Sequence, residues 1–165
     1  MDYNEKIAEI LGQLEIFSGL SSSHLMQIAL LMDRKTKPKD AYLILENQKG
    51  EDIFCILKGE VKVQIFLPGS QQRSEIASMA GGDIIGELAL VGCERRSASV
   101  QVTREIEYLS TTVSKLKELF QKDQELGFFF YQNLARLLAH RLIGTNKNLG
   151  NAIYSQDGVF KSNAS

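Results

Sequence analysis

The chain has 165 residues, 44% hydrophobic and 24% charged, with 19 basic against 20 acidic side chains. That length suits one domain with a real core, and the near-balance of charge leaves no global field to gather DNA or an anionic membrane. No apolar run approaches bilayer-spanning length, and the start Met1-Asp2-Tyr3-Asn4-Glu5-Lys6 lacks the basic-then-apolar layout of a secretion signal, so a cytoplasmic protein is expected.

Ile7, Ile10, Leu11, Leu14 and Phe17 are spaced to line one face of a first helix, which Gly19 stops. Ser21-Ser22-Ser23 supplies cap hydroxyls for a second, with Leu25, Ile28, Ala29 and Met32 as its buried face. His24 sits in its first turn and carries no assigned chemistry. Residues 1–38 therefore read as a helical lead-in.

From Lys39 to Leu109 the period changes to two, and turn signals recur at short intervals. Ala41 to Leu45 reads as a strand, Asn47-Gln48-Lys49-Gly50 as a turn, and Ile53 to Leu57 as an apolar strand. Lys58-Gly59-Glu60 is expected to turn the chain again before Val61, Val63 and Ile65; Pro68-Gly69-Ser70 is the next break, followed by Ser74 to Met79. Many short strands at this spacing predict an α+β fold, mainly β: an antiparallel, jelly-roll-like β-roll over residues 39–110, flanked by N-terminal helices and a long C-terminal helix. Cys55 falls in an apolar strand and is expected in the core, and Cys93 in a polar loop, where a spectator thiol is expected. Two cysteines make neither a disulfide framework nor a metal site.

The most informative stretch is residues 82–98. It opens with a glycine turn, continues as a short helix-compatible run from Gly86-Glu87, and ends in an Arg that leads into an alternating strand. A short helix offers free backbone N–H groups and a positive dipole end, and Gly86 lets the backbone approach closely. From Ala98 onward the alternation puts Ala98, Val100 and Val102 on one face and Ser97, Ser99, Gln101 and Thr103 on the other. A strand beginning at Arg96 would point that guanidinium inward, where it is costly unless an anion meets it, and would leave Arg95 solvated. The anion is either a ligand or Glu87 of the same chain.

Gly86, Glu87, Leu88, Ala89, Leu90, Arg96, Ser97 and Ala98 match the pattern of the phosphate-binding cassette, and the segment resembles the cyclic nucleotide-binding domain family. The resemblance implies that Arg96 holds a cyclic phosphate, Glu87 takes the ribose 2′-hydroxyl, and the amides of the short helix complete the cradle. It implies further that Phe17-Ser18-Gly19-Leu20-Ser21 is the family's helical lead-in. Gly50, Gly59 and Gly82 stand at corners where the family also has glycines, whereas Lys37-Pro38-Lys39-Asp40 lacks one commonly found there. Val63 and Ile76 are expected as apolar walls for a base.

After Leu109, Thr111-Thr112 caps a helix through Phe120, and Asp123 begins a longer one reaching about Leu149. Phe130, Leu134 and Leu137 form one stripe. Tyr131, Ala135, Leu138, Leu142, Thr145 and Leu149 form a second with coiled-coil spacing, so a homodimer through this helix is expected. Residues 111–150 are thus lid and dimer helix, and 151–165 a flexible tail. The segment from Leu142 to Asn151 resembles the end of the dimer helix of catabolite activator protein-like regulators. By that resemblance Thr145, with Asn146 from the other subunit, takes the adenine amino group, which favours cyclic AMP; Ser97 could instead offer a hydroxyl to guanine, as in cyclic GMP-binding relatives. Too little chain follows for a helix-turn-helix, so DNA binding is not expected.

The expected function is a stand-alone cyclic nucleotide sensor, with no cofactor and with cyclic AMP ahead of cyclic GMP as ligand. The alternative is an interaction module that keeps the fold without a ligand. An enzyme is not expected: His24 and His140 both lie in helical segments, and no nucleophile–base pair or metal cluster is visible.

Overall fold

The structure, a computed structural model, describes the backbone of residues 2–162 and the side chains of residues 2–155. Helix α1 spans Tyr3–Leu11 and opens in a capping box, in which the Asp2 carboxylate accepts from the Tyr3 N–H and the Asp2 N–H donates to Glu5. It ends earlier than its apolar period suggests, at the Gly12 cap. Leu14 is extended and Glu15–Phe17 forms a separate 3₁₀ turn. Leu14 and Phe17 are buried all the same, because the turn swings them onto the face that a continuous helix would have presented. Helix α2, Ser22–Ala29, is capped by Ser21, whose hydroxyl accepts the His24 N–H.

Six strands follow: β1 Asp33–Lys37, β2 Tyr42–Ile44, β3 Asp52–Phe66, β4 Arg73–Ala80, β5 Ile84–Ile85 and β6 Ser99–Thr112. All pairings are antiparallel, in the order β1-β6-β3-β4, with β2 on β6 and β5 on β3. The long strands β3 and β6 are the spine, and their bulges bend the sheet into a roll.

Three boundaries differ from the sequence expectation. The roll begins at Asp33 rather than Lys39, since β1 is entirely polar and pairs in register with β6 from Asp33↔Ser110 to Lys37↔Ile106; an edge strand without apolar alternation carries no period-two signal. Lys58-Gly59-Glu60 is a bulge within β3, not a turn. Gly59 has φ 88°, and a Cβ there would sit 2.1 Å from the Glu105 carbonyl oxygen, so only glycine lets β3 cross β6 at that point. At its far end β6 runs to Thr112.

Helix α3, Val113–Lys122, is capped by Thr112, and α4 runs from Gln124 to Ser162. Asp123 caps α4 by accepting the Leu126 N–H at 3.0 Å. Helix α4 continues through Gly144 and Gly150, so residues 151–162 are helical rather than a flexible tail. Neither glycine is followed by a proline or a further break, and an isolated glycine weakens a helix without ending it. Residues 163–165 lie outside the described residues.

One core joins the helices to the near side of the roll, where Phe17, Phe120 and Phe130 stack beside Leu126 and Leu134. A second fills the roll itself, with Phe54, Ile56, Val61, Val102 and Ile106. Cys55 belongs to the first core, and burial pushes its thiol up to about 12. Asn133 of α4, buried, donates to the carbonyls of Ile16 and Ser18 and locks the start of α4 onto the 3₁₀ turn.

Candidate functional site

Between the open end of the roll and α4 lies a mainly apolar cavity of about 550 Å³. That volume suits a small ligand. Its floor is Ile44, Ile85 and Val100, its outer lip includes Val63 and Ile76, and its lid is the α4 face of Leu138, Arg141, Gly144, Thr145 and Asn148. Gly86, Glu87, Leu88, Ala89, Arg96, Ser97 and Ala98 line the remaining wall. Ten of the eleven residues expected at the site therefore meet in one cavity. Asn146, the eleventh, is exposed on another face of α4 and does not line it.

The wall is built around a 3₁₀ helix, Glu87–Val91, held between Gly86 at φ 84° and Gly92 at φ 98°. Both positive angles require glycine in practice, and together they fold the segment tightly against β5. The first N–H groups of such a helix have no partner within it, and here those are Glu87 and Leu88, while the Ala89 N–H already reaches the Gly86 carbonyl at 3.3 Å.

Arg96 is positioned from its backbone. Its N–H donates to the Gln48 carbonyl at 2.9 Å, and its carbonyl accepts from Asn47 at 2.8 Å. Strand β6 begins only at Ser99, so Arg96 precedes it and strand parity does not aim the side chain. Ser99 itself is fully buried, against the outward placing expected from the alternation, because its hydroxyl accepts the Glu46 N–H at 3.0 Å. What aims Arg96 is a slot between two glycines. A Cβ on Gly50 would lie 2.8 Å from Nη2, and one on Gly86 2.9 Å from Nη1. The guanidinium donates to the Asp52 carbonyl at 2.8 Å and to the Gly86 carbonyl at 3.4 Å.

Glu87 is not the partner of Arg96. Its carboxylate, 7% exposed, accepts from Arg141 Nη1 at 2.6 Å, and Arg141 Nη2 donates to the Ile84 carbonyl at 2.7 Å. Among the described residues no carboxylate oxygen lies within ion-pairing distance of Arg96. Burial lowers the Arg96 pKa from its ordinary value, with the charges of Asp52 and then Glu87 opposing. Arginine stays protonated in proteins, so the cavity wall carries a cation with no carboxylate in contact with it.

Arg141 was invisible to sequence reasoning. It lies in a basic, helical stretch that reads as a solvated face, and only its four-residue step to Thr145 could have flagged it. Cys93 lines the cavity mouth with its thiol exposed, and Arg95 donates to the Asn47 carbonyl at 2.7 Å. His24 faces Asp123 at 3.6 Å, far from the cavity in sequence and not part of its lining. Among the described residues no group of three or more His, Cys, Asp or Glu is gathered to hold a metal ion. No helix among them is long and apolar enough to cross a membrane.

Fold and cavity together define a β-roll with an apolar cavity, a cationic wall and a long helix across one side. Residues 34–123 match the family model for the cyclic nucleotide-binding domain, and the chain belongs to that family. A solved cyclic nucleotide-binding domain from Methylobacillus flagellatus is 27% identical and superposes with TM-score 0.78, covering 88% of this chain and 82% of that one. A Caenorhabditis briggsae cGMP-dependent protein kinase, egl-4, is 32% identical over 100 residues, 61% of this chain and 13% of the kinase. A CRP-like cAMP-activated global transcriptional regulator of Mycobacterium tuberculosis is 25% identical over 147 residues, 89% of this chain and 63% of the regulator. The chain thus spans less than two thirds of the length of either relative.

Proposed function

We propose that the chain is a cyclic nucleotide sensor that binds cyclic AMP in the roll and reports it through α4. The observation that carries this reading is the Arg96 guanidinium, fixed between Gly50 and Gly86 on the wall of an apolar cavity, with no carboxylate within pairing distance. A cyclic phosphodiester supplies the missing anion, and the amides at the start of the 3₁₀ helix complete its cradle. The base lies along the apolar floor and lip.

Glu87 has room for two partners, because a carboxylate offers about four lone-pair positions. It can take a ribose hydroxyl while it still holds Arg141. Nucleotide and α4 then meet on one carboxylate, so ligand binding biases the position of the helix through a difference in affinity for its two arrangements. Thr145 supports cyclic AMP. Its hydroxyl donates to the Arg141 carbonyl at 2.9 Å and so has only lone pairs to offer the cavity, which suits an amino group and not a guanine oxygen. A second reading, cyclic GMP, is favoured by Ser97, whose hydroxyl lines the same wall and is exposed.

The proposal includes a homodimer through α4, with a seam different from the one read in the sequence. Leu138 and Thr145 face the cavity. Ala135, Ala139, Leu142, Asn146, Leu149 and Ile153 alternate by four and three residues, and all are exposed. That is the spacing of a two-stranded coiled coil with one polar position, which fixes register.

Isothermal titration with both nucleotides tests the ligand. Arg96→Ala should weaken cyclic AMP binding by about 100-fold, the loss expected when paired bonds to a charged phosphate disappear, with little change in melting temperature. Affinity within about threefold of wild type would contradict the assignment and leave the interaction-module reading.

A further inference from the structure

The lid face of α4 carries a polar side chain that neither the phosphate cradle nor the ribose contact uses. Asn148 lines the cavity, and its carboxamide forms no hydrogen bond to another described residue. It lies seven residues after Arg141, two helical turns and about 10 Å further along the axis on nearly the same line. Arg141 is fixed on Glu87, so Asn148 lines the same cavity about two helical turns away from that carboxylate. Thr145 stands between them, its hydroxyl already committed as a donor to the helix backbone. Ile76 and Val63 on the facing lip are apolar and offer a base no hydrogen bond.

We propose that Asn148 is a base-reading residue of this cavity, pairing with Thr145 on one chain's helix to select a 6-aminopurine, whose amine stands beside the acceptor N7, over a 6-oxopurine. The proposal rests on the nucleotide reading above. A carboxamide has one acceptor and two donors side by side, and so takes such an edge through two parallel bonds. Its oxygen accepts from the exocyclic amine while its NH₂ donates to the adjoining ring nitrogen. Thr145 accepts the second amine hydrogen. A guanine turns its carbonyl oxygen toward Thr145, acceptor against acceptor, and cannot engage both side chains at once. Selection then needs no residue from a second subunit, and Asn146 is free to occupy the exposed seam.

Titration of wild type, Asn148→Ala and Asn148→Asp with cyclic AMP, cyclic GMP and the 7-deaza analogue of cyclic AMP decides it. Asn148→Ala should lose about tenfold in cyclic AMP affinity while cyclic GMP changes less than twofold. Asn148→Asp keeps the acceptor and loses the donor, so it should fall between wild type and alanine. The 7-deaza analogue, which lacks N7, should bind wild type more weakly than cyclic AMP and Asn148→Ala equally well; equal binding to wild type would overturn the two-bond contact. Equal losses for both natural nucleotides, or an unchanged ratio, would overturn the role of Asn148 and leave the sensor reading intact. No heat from wild type with either nucleotide would overturn both. Asn148 is exposed, so both variants are expected to fold, and unchanged melting curves verify this.

Discussion

Two parts of α4, residues 124–138 and residues 139–155, belong to one helix and are held by different physics. In the first part Leu126, Phe130 and Leu134 are essentially excluded from water, and buried Asn133 ties the backbone to the 3₁₀ turn. From residue 139 onward Leu142 and Leu149 are 62% and 59% exposed, and among the described hydrogen bonds those from Arg141 to Glu87 and to the Ile84 carbonyl tie this part to the roll. The first part is therefore a structural element of the domain, and the position of the second is decided by whatever touches it. Regions of low local stability are where a switch must lie.

The sharpest way to break this comparison is to truncate one side chain in each part. Phe130→Ala should cost about 3–5 kcal/mol of stability by urea unfolding, and Leu142→Ala about 0.5 kcal/mol or less in dilute protein. Similar losses would show that the two parts are not different. Arg141→Ala should act between them, at about 1–3 kcal/mol, since it leaves the Glu87 carboxylate buried without its partner. By hydrogen exchange, amides of 142–155 should lose protection in that variant while those of 124–138 keep theirs. Leu149→Asp should leave the unfolding curve of dilute protein unmoved yet abolish self-association in sedimentation equilibrium. A wild type that stays monomeric at high concentration would remove the dimer from the proposal.

The smallest effect expected is at the root of α4. The Leu126 N–H, then Gln27, then the nearby His24 hold the Asp123 carboxyl below its ordinary value. A depressed folded-state pKa means stabilisation present above about pH 4 that fades as pH falls through the lower folded value. Asp123→Asn should flatten that part of the acid melting profile, and identical acid slopes in variant and wild type would dismiss the effect.

The sequence reveals the cassette because its chemistry is local: a glycine at positive φ, a short helix and an arginine lie within about one loop of each other. It also reveals the turn from roll to helices, where Thr112 and Asp123 act as caps close to where their residue types suggest. Strand β1 escapes notice because all five of its residues are polar, and Gly59 reads as a corner because a bulge and a turn share the same residue. The Glu87–Arg141 pair is hidden for another reason, since its partners are 54 residues apart and nothing in the pattern near either one refers to the other. The proposed seam lies one helical face away from the stripe read in the sequence, because Leu138 and Thr145, which fit a coiled-coil spacing, line the cavity. Spacing alone does not say which of two faces meets solvent.

The slot around Arg96 has a kinetic meaning. A long, flexible side chain normally loses much of its rotamer freedom when it grips an anion, a penalty of up to about 2 kcal/mol. Here Gly50, Gly86 and two backbone carbonyls have already settled the guanidinium in one orientation. That ordering is complete once the domain folds, so on the proposed reading a phosphate would meet a counter-ion already in place, and its capture would not have to wait for the side chain to search.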